Sequence, residues 1–255
     1  MILTAHQPAY HPWLGLIEKV ARADVFVILD AVQFEKGSFI NRQKIVGPNG
    51  PHWLTIPVHT KGVTEGTPIH DVRIDNGRNW RRKHMRSIEM AYRRAKYWDR
   101  YEPWLREFYS LEFETIDQPA LDSLVYVLEE FGLDTDDSRA FHFLRTMRES
   151  NAYDFERDDG PKLTGVDCIV ALCRTLEAES FLFGGLGNNY VDALFEQRFG
   201  IRPLFQEFNP PIYSQAWGGF TPNVWAMDLL LNHGPEASRR ILNEQHRTDG
   251  SSATP

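Results

Sequence analysis

The first 30 residues contain two short apolar segments separated by an amphipathic one, and this order constrains the fold more than any other feature. Met1 to Ala5 is a short apolar segment that predicts a strand, and Val25 to Leu29 is apolar throughout. Between them, Trp13 to Ala23 has helical spacing, with Leu14, Ile17, Val20 and Ala21 on one face. A strand that is apolar on both faces and follows a helix is typical of parallel sheets. Residues 1–30 therefore predict a right-handed βαβ unit and an α/β fold with a parallel sheet.

Residues 1–243 as a whole are predicted to form one α/β domain, with a helical insertion at about 78–160, and residues 244–255 are predicted to be a disordered tail. A strand is predicted at Trp53 to Val58 and a helix from Trp80 to Leu105. The C-terminal part repeats an α/β rhythm, with helices at Val166 to Leu176, Tyr190 to Phe199 and Val224 to Asn232, and strands at Ser180 to Phe183 and Ile201 to Phe208. Gly234-Pro235 predicts the end of the last helix.

Composition excludes several classes of protein. The formal net charge of −7 argues against bulk binding to nucleic acid or to an anionic membrane. Two cysteines are too few for a disulfide scaffold or a Cys-rich zinc site, and the histidines lack metal-ligand spacing. No apolar run reaches the ~18–20 residues of a membrane helix, and the N-terminus lacks a basic signal-peptide region. We therefore expect a cytoplasmic protein without a metal or cofactor.

Polar residues follow both N-terminal strands at the points where the strands end. His6 and Gln7 come after the first strand, and Asp30 and Gln33 come after the second. Ligands of open parallel sheets bind beyond the carboxyl ends of the strands, so these residues predict a site at one rim of the sheet. His6 is the predicted general base, because imidazole changes charge near neutral pH. Asp30 is predicted to orient His6 or bind substrate, with capping of the next turn as the alternative.

Further candidates lie outside this βαβ unit. The loop with Tyr10 and His11 leads into a helix start, where backbone N–H groups favour anions. Asn41 and Arg42 offer an amide and a planar cation to a carboxylate or phosphate, or else form an exposed strand edge. Residues 184–190 follow a strand and open a helix, which favours an anion site, although the lysine and Ser/Thr of a P-loop are missing.

The middle of the chain separates its charges by sign. Residues 78–106 contain ten Arg or Lys against three acids, and residues 107–137 contain ten acids and no base. The basic run predicts a solvated face or a wall for a phosphate-bearing ligand. His84 lies in this run on a stripe spaced four apart with Trp80, Ile88 and Tyr92. That position fits a core histidine or a substrate ligand.

An ordered series of motifs runs along most of the chain. The motifs are His6-Gln7-Pro8-x-Tyr10-x-Pro12-Trp13-x-Gly15, residues 23–34 with Asp30 and Gln33, Phe39-Ile40-Asn41-Arg42, residues 53–58, Trp80-x-x-Lys83-His84, Gly184-Gly185 with Asn189-Tyr190-Val191-Asp192, Pro211-x-Tyr213-x-Gln215, and Asp228-Leu229-Leu230-x-Asn232-x-Gly234. In their order and spacing these motifs resemble the WbqC-like protein family, and the resemblance covers about residues 1–242. Ala31 departs from the pattern, since an acidic residue often follows the aspartate.

The resemblance implies a biosynthetic enzyme of surface polysaccharides or natural products. The activity it implies is transfer of an acyl or aminoacyl group to an amine of a small molecule, with a carrier-protein thioester as a possible donor. The order strand, histidine loop, helix, strand and aspartate is also similar to HUP-class ligases and nucleotidyltransferases, but their His-x-Gly-His is absent. A non-catalytic binding or scaffold protein is the third reading. The predicted catalytic residues are His6 and Asp30, and the predicted substrate-binding residues are Gln7, Tyr10, Trp13, Gln33, Asn41, Arg42, His84, Asn189, Tyr190 and Gln215.

Overall fold

A computed structural model describes residues 1–59, 66–133, 135, 141–143, 147, 165–185, 187 and 191–249. The strands are β1 (Ile2–His6), β2 (Val25–Ile28), β3 (Arg42–Gly47), β4 (Gly50–Thr55), β5 (Phe141–Phe143), β6 (Ser180–Phe183) and β7 (Arg202–Phe205). The α-helices are α1 (Leu14–Ala21), α2 (Trp80–Tyr92), α3 (Trp98–Phe108), α4 (Asp117–Glu130), α5 (Gly165–Thr175), α6 (Phe195–Phe199) and α7 (Met227–Asp249), and a 3-10 helix spans Ile69–Asp71. The chain divides into two compact units.

Unit 1 consists of Met1–Gln7, Glu18–Val32 and Asp134–Phe208. Its sheet has five parallel strands in the order β5-β2-β1-β6-β7. When the strands of this sheet are numbered from one to five along the chain, their spatial order is 3-2-1-4-5. This is the strand order of doubly wound nucleotide-binding sheets. The α/β class and the parallel pairing of β1 with β2, with Leu3 opposite Val25, confirm the fold predicted from the sequence.

Aliphatic and aromatic side chains from one face of this sheet pack with α5 to form a core of unit 1. Leu3, Val27, Phe181 and Phe183 are almost fully buried, and α5 contributes Leu172 to the same cluster. Each such side chain stabilises the unit by roughly 1.5–3 kcal/mol relative to exposure. The two cysteines lie on α5, and both are buried. Burial raises the pKa of Cys173 to about 12, so this thiol stays protonated at neutral pH.

Unit 2 consists of Pro8–Ile17, Gln33–Leu133 and Asn209–Pro255. Strands β3 and β4 form an antiparallel hairpin in this unit. Helix α2 buries the stripe of side chains that its spacing predicts, which comprises Trp80, His84, Ile88 and Tyr92. The Tyr92 hydroxyl donates to Asp228 Oδ2 of α7 at 2.9 Å. Burial raises the pKa of Asp228, and the tyrosine hydrogen bond opposes that rise.

Several element boundaries differ from those predicted. The long helix predicted to start at Trp80 is two helices, because the chain turns after Tyr92 and the Tyr97 N–H donates to Leu231 of α7 instead of continuing a helix. The predicted strand at 53–58 is shifted to β4, since Gly47 and Gly50 close the hairpin. Helix α7 breaks at Gly234, as predicted, but resumes and extends to Asp249. The predicted domain and tail boundaries stay predictions.

Candidate functional site

The carboxyl ends of the unit 1 strands bring His6, Gln7 and Asp30 to one rim, whereas Gln33, predicted with them, belongs to unit 2. His6 is the last residue of β1 and pairs with Ile28, and Asp30 lies two residues after that partner. The N–H of Leu29 donates to the His6 carbonyl at 2.8 Å, which fixes this register. Strand β6 ends beside β1 and is followed by Gly184-Gly185. His6 and the glycine pair therefore flank the switch point between β1 and β6, where sheets of this order bind ligands.

The His6 ring has a defined tautomer. Its Nδ1 lies 2.7 Å from the Gln7 backbone oxygen, and a carbonyl only accepts hydrogen bonds, so Nδ1 carries the proton. Burial and, to a smaller extent, the Lys19 charge lower the pKa of His6 to about 4, against an opposing contribution from the Gln7 hydrogen bond. At neutral pH the imidazole is therefore uncharged and has its lone pair on Nε2. The Gln7 carbonyl orients the ring.

Two charged residues of α1 join this rim, and sequence reasoning missed both. Lys19 Nζ donates to the Ala5 carbonyl at 2.9 Å, and burial lowers the pKa of Lys19 to about 8. Glu18 is 1% exposed and accepts hydrogen bonds from Gln206, just after β7, and from Arg22. The sequence signal that indicates burial of Glu18 is its spacing, because it lies four residues after Leu14 and therefore on the apolar face of the helix.

The predicted site residues do not all fall in one unit. His6, Gln7 and Asp30 belong to unit 1, whereas Tyr10, Trp13, Gln33, Asn41, Arg42, His84 and Gln215 belong to unit 2. Asn189 and Tyr190 lie outside the described residues. The unit 1 rim therefore holds the predicted base, and unit 2 holds most of the predicted binding residues.

Within unit 2, Tyr10 and His84 belong to a buried chain of hydrogen bonds with His11 and Tyr109. The Tyr10 hydroxyl lies 3.0 Å from His84 Nδ1 and 2.6 Å from the Tyr109 hydroxyl, which lies 2.6 Å from His11 Nε2. His84 Nε2 lies 3.2 Å from the Thr55 carbonyl. Burial lowers the pKa of His84 to about 4 and holds that of His11 well below its ordinary value, so both rings are neutral at pH 7.

The direction of this chain follows from the Thr55 carbonyl, which only accepts. His84 Nε2 donates to Thr55, so His84 Nδ1 accepts from Tyr10, Tyr10 accepts from Tyr109, and Tyr109 accepts from His11 Nε2. Both ring nitrogens of His84 are engaged by protein groups. A substrate would therefore have to displace Thr55 or Tyr10 to bind His84, which favours the core interpretation of this histidine.

The other unit 2 candidates contact their own surroundings. Asn41 Nδ2 donates to the Ile56 carbonyl at 3.0 Å. The Arg42 guanidinium lies 4.4 Å from the centre of the Trp53 ring. Three further side chains stabilise loops: Trp13 packs on Phe39, Gln33 Oε1 accepts from the Gly66 N–H, and Gln215 binds both backbone groups of Thr221.

Metal-ligating residues do not cluster in the part of the chain that the structure describes, where no group of three or more His, Cys, Asp or Glu could hold an ion. None of the helices within the described ranges combines the length and apolar character needed to cross a membrane. The titratable side chains that the described residues place at the unit 1 rim include His6, Asp30, Glu18 and Lys19.

Comparisons with known proteins give one family. A sequence profile described as the WbqC-like protein family matches residues 7–240. The Mycobacterium tuberculosis protein named "Uncharacterized protein Rv1507c" is 30% identical over 236 residues, which cover 91% of this chain and 93% of that protein. No solved structure matches the chain. The family match extends through both units.

Proposed function

Because the chain belongs to the WbqC-like protein family, we propose that it is a biosynthetic transferase that moves an acyl or aminoacyl group onto an amine of a sugar or small metabolite. The observation that carries this proposal is the neutral His6 imidazole at the switch point of a parallel sheet. A base for amine transfer must be unprotonated at working pH, and His6 meets that requirement. The proposal includes a small-molecule substrate, a carrier-protein thioester as one donor, and a cytoplasmic location.

The proposed step is attack of the amine nitrogen on the acyl carbonyl. A C–N bond forms as the bond from the acyl carbon to its leaving group breaks, and His6 Nε2 takes the proton that the amine loses. The leaving group then takes this proton from the imidazolium, so His6 returns to its neutral form at the end of the step. Asp30, buried at the same rim, is proposed to hold the acceptor, and backbone N–H groups of Gly184-Gly185 to stabilise the carbonyl oxygen.

The test compares the turnover rate of the His6→Asn variant with that of the wild type. The Asn side-chain N–H₂ can still donate to the Gln7 carbonyl, but it offers no base in place of Nε2. We expect a loss of rate of about 10²-fold or more, the usual contribution of general base catalysis. The assay incubates the protein with carrier-protein thioesters and amino acceptors and detects the amide by mass spectrometry. The matched control is His52→Ala, which removes an exposed histidine of β4. A folded His6→Asn variant with full turnover would remove His6 from the mechanism.

A nucleotide-dependent ligase or nucleotidyltransferase is the second candidate, and the strand order of unit 1 favours it. The chain has His11-Pro12-Trp13-Leu14-Gly15 where such enzymes have His-x-Gly-His, so the histidine pair that contacts phosphates is missing. Calorimetric titration with MgATP separates the candidates, because the ligase must bind it and the simple transferase need not. The third hypothesis, a non-catalytic scaffold protein, predicts that no pair of donor and acceptor gives turnover.

A further inference from the structure

Unit 2 contains an open cleft of about 620 Å³ that is lined on one side by α2 and on the other by the end of α3. Four of its lining residues are Arg81, Arg82, Arg86 and Arg106, and the one acidic residue is Glu89. The formal charge of the lining is therefore +3, in a chain whose net charge is −7. A concave site with one sign of charge concentrates ligands of the opposite sign.

The four arginines differ in how far the protein already neutralises them. Arg106 donates to Glu102 at 2.9 Å, and Arg81 donates to Asn76 at 2.8 Å and lies 3.9 Å from Glu112. Arg82 donates to the Asn79 side-chain oxygen at 3.1 Å, in the amide orientation that satisfies both groups. Among the described residues, no carboxylate lies within ion-pair distance of Arg82 or Arg86.

Arg82 and Arg86 are exposed and lie four residues apart on α2, so their side chains share one helix face. Two like charges at this spacing repel each other and destabilise a helix by a few tenths of a kcal/mol. An anion bound between them removes that repulsion. The Cβ atoms of such a pair are ~5–6 Å apart, which lets two planar guanidinium groups each bind one of two adjacent phosphates.

From the cleft, its charge and this pair we propose that unit 2 binds a diphosphate ester, with Arg82 and Arg86 each holding one phosphate by charge-assisted hydrogen bonds. The volume of the cleft exceeds what pyrophosphate alone fills and lies in the ordinary range for small-molecule sites, ~300–1,000 Å³. Tyr109 lines the cleft, so the buried chain that it forms with Tyr10 and His11 holds the cleft wall in place. The proposal does not depend on the transferase activity of unit 1.

The experiment is calorimetric titration of the full chain with pyrophosphate at low salt and without added divalent ions. We expect saturable binding that weakens as salt rises and falls at least tenfold in the double variant Arg82→Gln/Arg86→Gln. The matched control is Arg93→Gln/Arg94→Gln, which removes the same charge from exposed residues just after α2, outside the cleft. The control is expected to bind within twofold of the wild type.

Three results would overturn the proposal. The wild type could fail to bind pyrophosphate at millimolar concentration, or the control variant could lose as much affinity as the cleft variant. Malonate, a dicarboxylate, could also bind as tightly as pyrophosphate, which would identify a general anion surface. Melting temperatures of both variants are measured alongside, and exposed arginines are expected to leave them within a few degrees of the wild type.

Discussion

At the scale of single residues, the chemistry depends on which protons the buried side chains keep. His6, His11 and His84 are all neutral at pH 7, because burial penalises the imidazolium. Their tautomers are set by backbone carbonyls at His6 and His84, and by a tyrosine hydroxyl at His11. In a neutral ring of fixed tautomer, one nitrogen carries the proton and can donate a hydrogen bond, and the other carries a lone pair and can accept one. The donor and acceptor nitrogens of each histidine are therefore assigned.

Tyr109→Phe tests the chain of hydrogen bonds in unit 2. The variant keeps the ring but removes the hydroxyl that accepts from His11 Nε2 and donates to Tyr10. A buried donor left without a partner costs about 1–3 kcal/mol, so we expect the free energy of unfolding to fall by that amount in urea titration. Tyr126→Phe, at a half-buried ring stacked on Trp104, is the control and is expected to stay within ~0.5 kcal/mol. Equal stability of the two variants would contradict the assigned chain.

At the scale of elements, α7 is shaped by one residue. Gly234 has φ 79°, which is left-handed, and the helix breaks there and restarts at Pro235. A Cβ added at Gly234 would lie 2.5 Å from Cε1 and Cζ of the Tyr97 ring. The same turn brings the Tyr97 N–H to the Leu231 carbonyl, so the break lets the segment between α2 and α3 dock on α7.

Gly234→Ala should therefore lower the free energy of unfolding by more than the backbone strain alone. The backbone conformation of Gly234, φ 79° and ψ 171°, is one that essentially only glycine adopts, and it costs an Ala residue about 1–3 kcal/mol. Displacing the Tyr97 ring adds to this cost, so we expect a loss of about 3 kcal/mol or more in urea unfolding. Gly50→Ala is the matched control, since Gly50 has φ 91° but nothing lies within 4 Å of its added Cβ. A Gly234→Ala variant no less stable than Gly50→Ala would show that Tyr97 moves aside freely.

The elements that the sequence predicts best are those whose pattern is local. The apolar runs of β1 and β2 and the amphipathic stretch of α1 each lie within a few residues, and all three are present. The break after Tyr92 could not be predicted, because its cause is the bond from Tyr97 to Leu231, which lies 134 positions away in the chain. Glu18 and Lys19 were missed because charged residues on a helix are usually solvated.

At the scale of the whole molecule, the rim of unit 1 could be predicted because parallel strands align their carboxyl ends. This alignment of strand ends predicts that His6 and Asp30 lie at one edge of the sheet, as the register of β1 and β2 has them. The grouping of the remaining candidates could not be predicted, because motif order along the chain does not say which unit a residue joins. Tyr10 and His6 are four residues apart in sequence and belong to different units.

Stability of the whole chain should fall in mild acid. The folded-state pKa of His84 is about 4 against 6.5 for the ordinary residue, so the unfolded chain binds more protons between these values. The free energy of unfolding therefore rises with pH across that window and falls as the pH is lowered through it. At about pH 5 the contribution of His84 alone is about 2 kcal/mol lower than at neutral pH. His6 and His11 act in the same direction, and the raised pKa of Asp228 opposes them near the acid end.

Urea unfolding at about pH 7 and about pH 5 measures this slope. We expect His84→Gln to be less stable than the wild type at neutral pH but to lose less stability on acidification, since a glutamine takes up no proton in either state. His52→Gln is the matched control, because it makes the same substitution at an exposed histidine of β4. Identical slopes in the wild type and His84→Gln would contradict the conclusion that the buried His84 ring is neutral in the folded protein at pH 7.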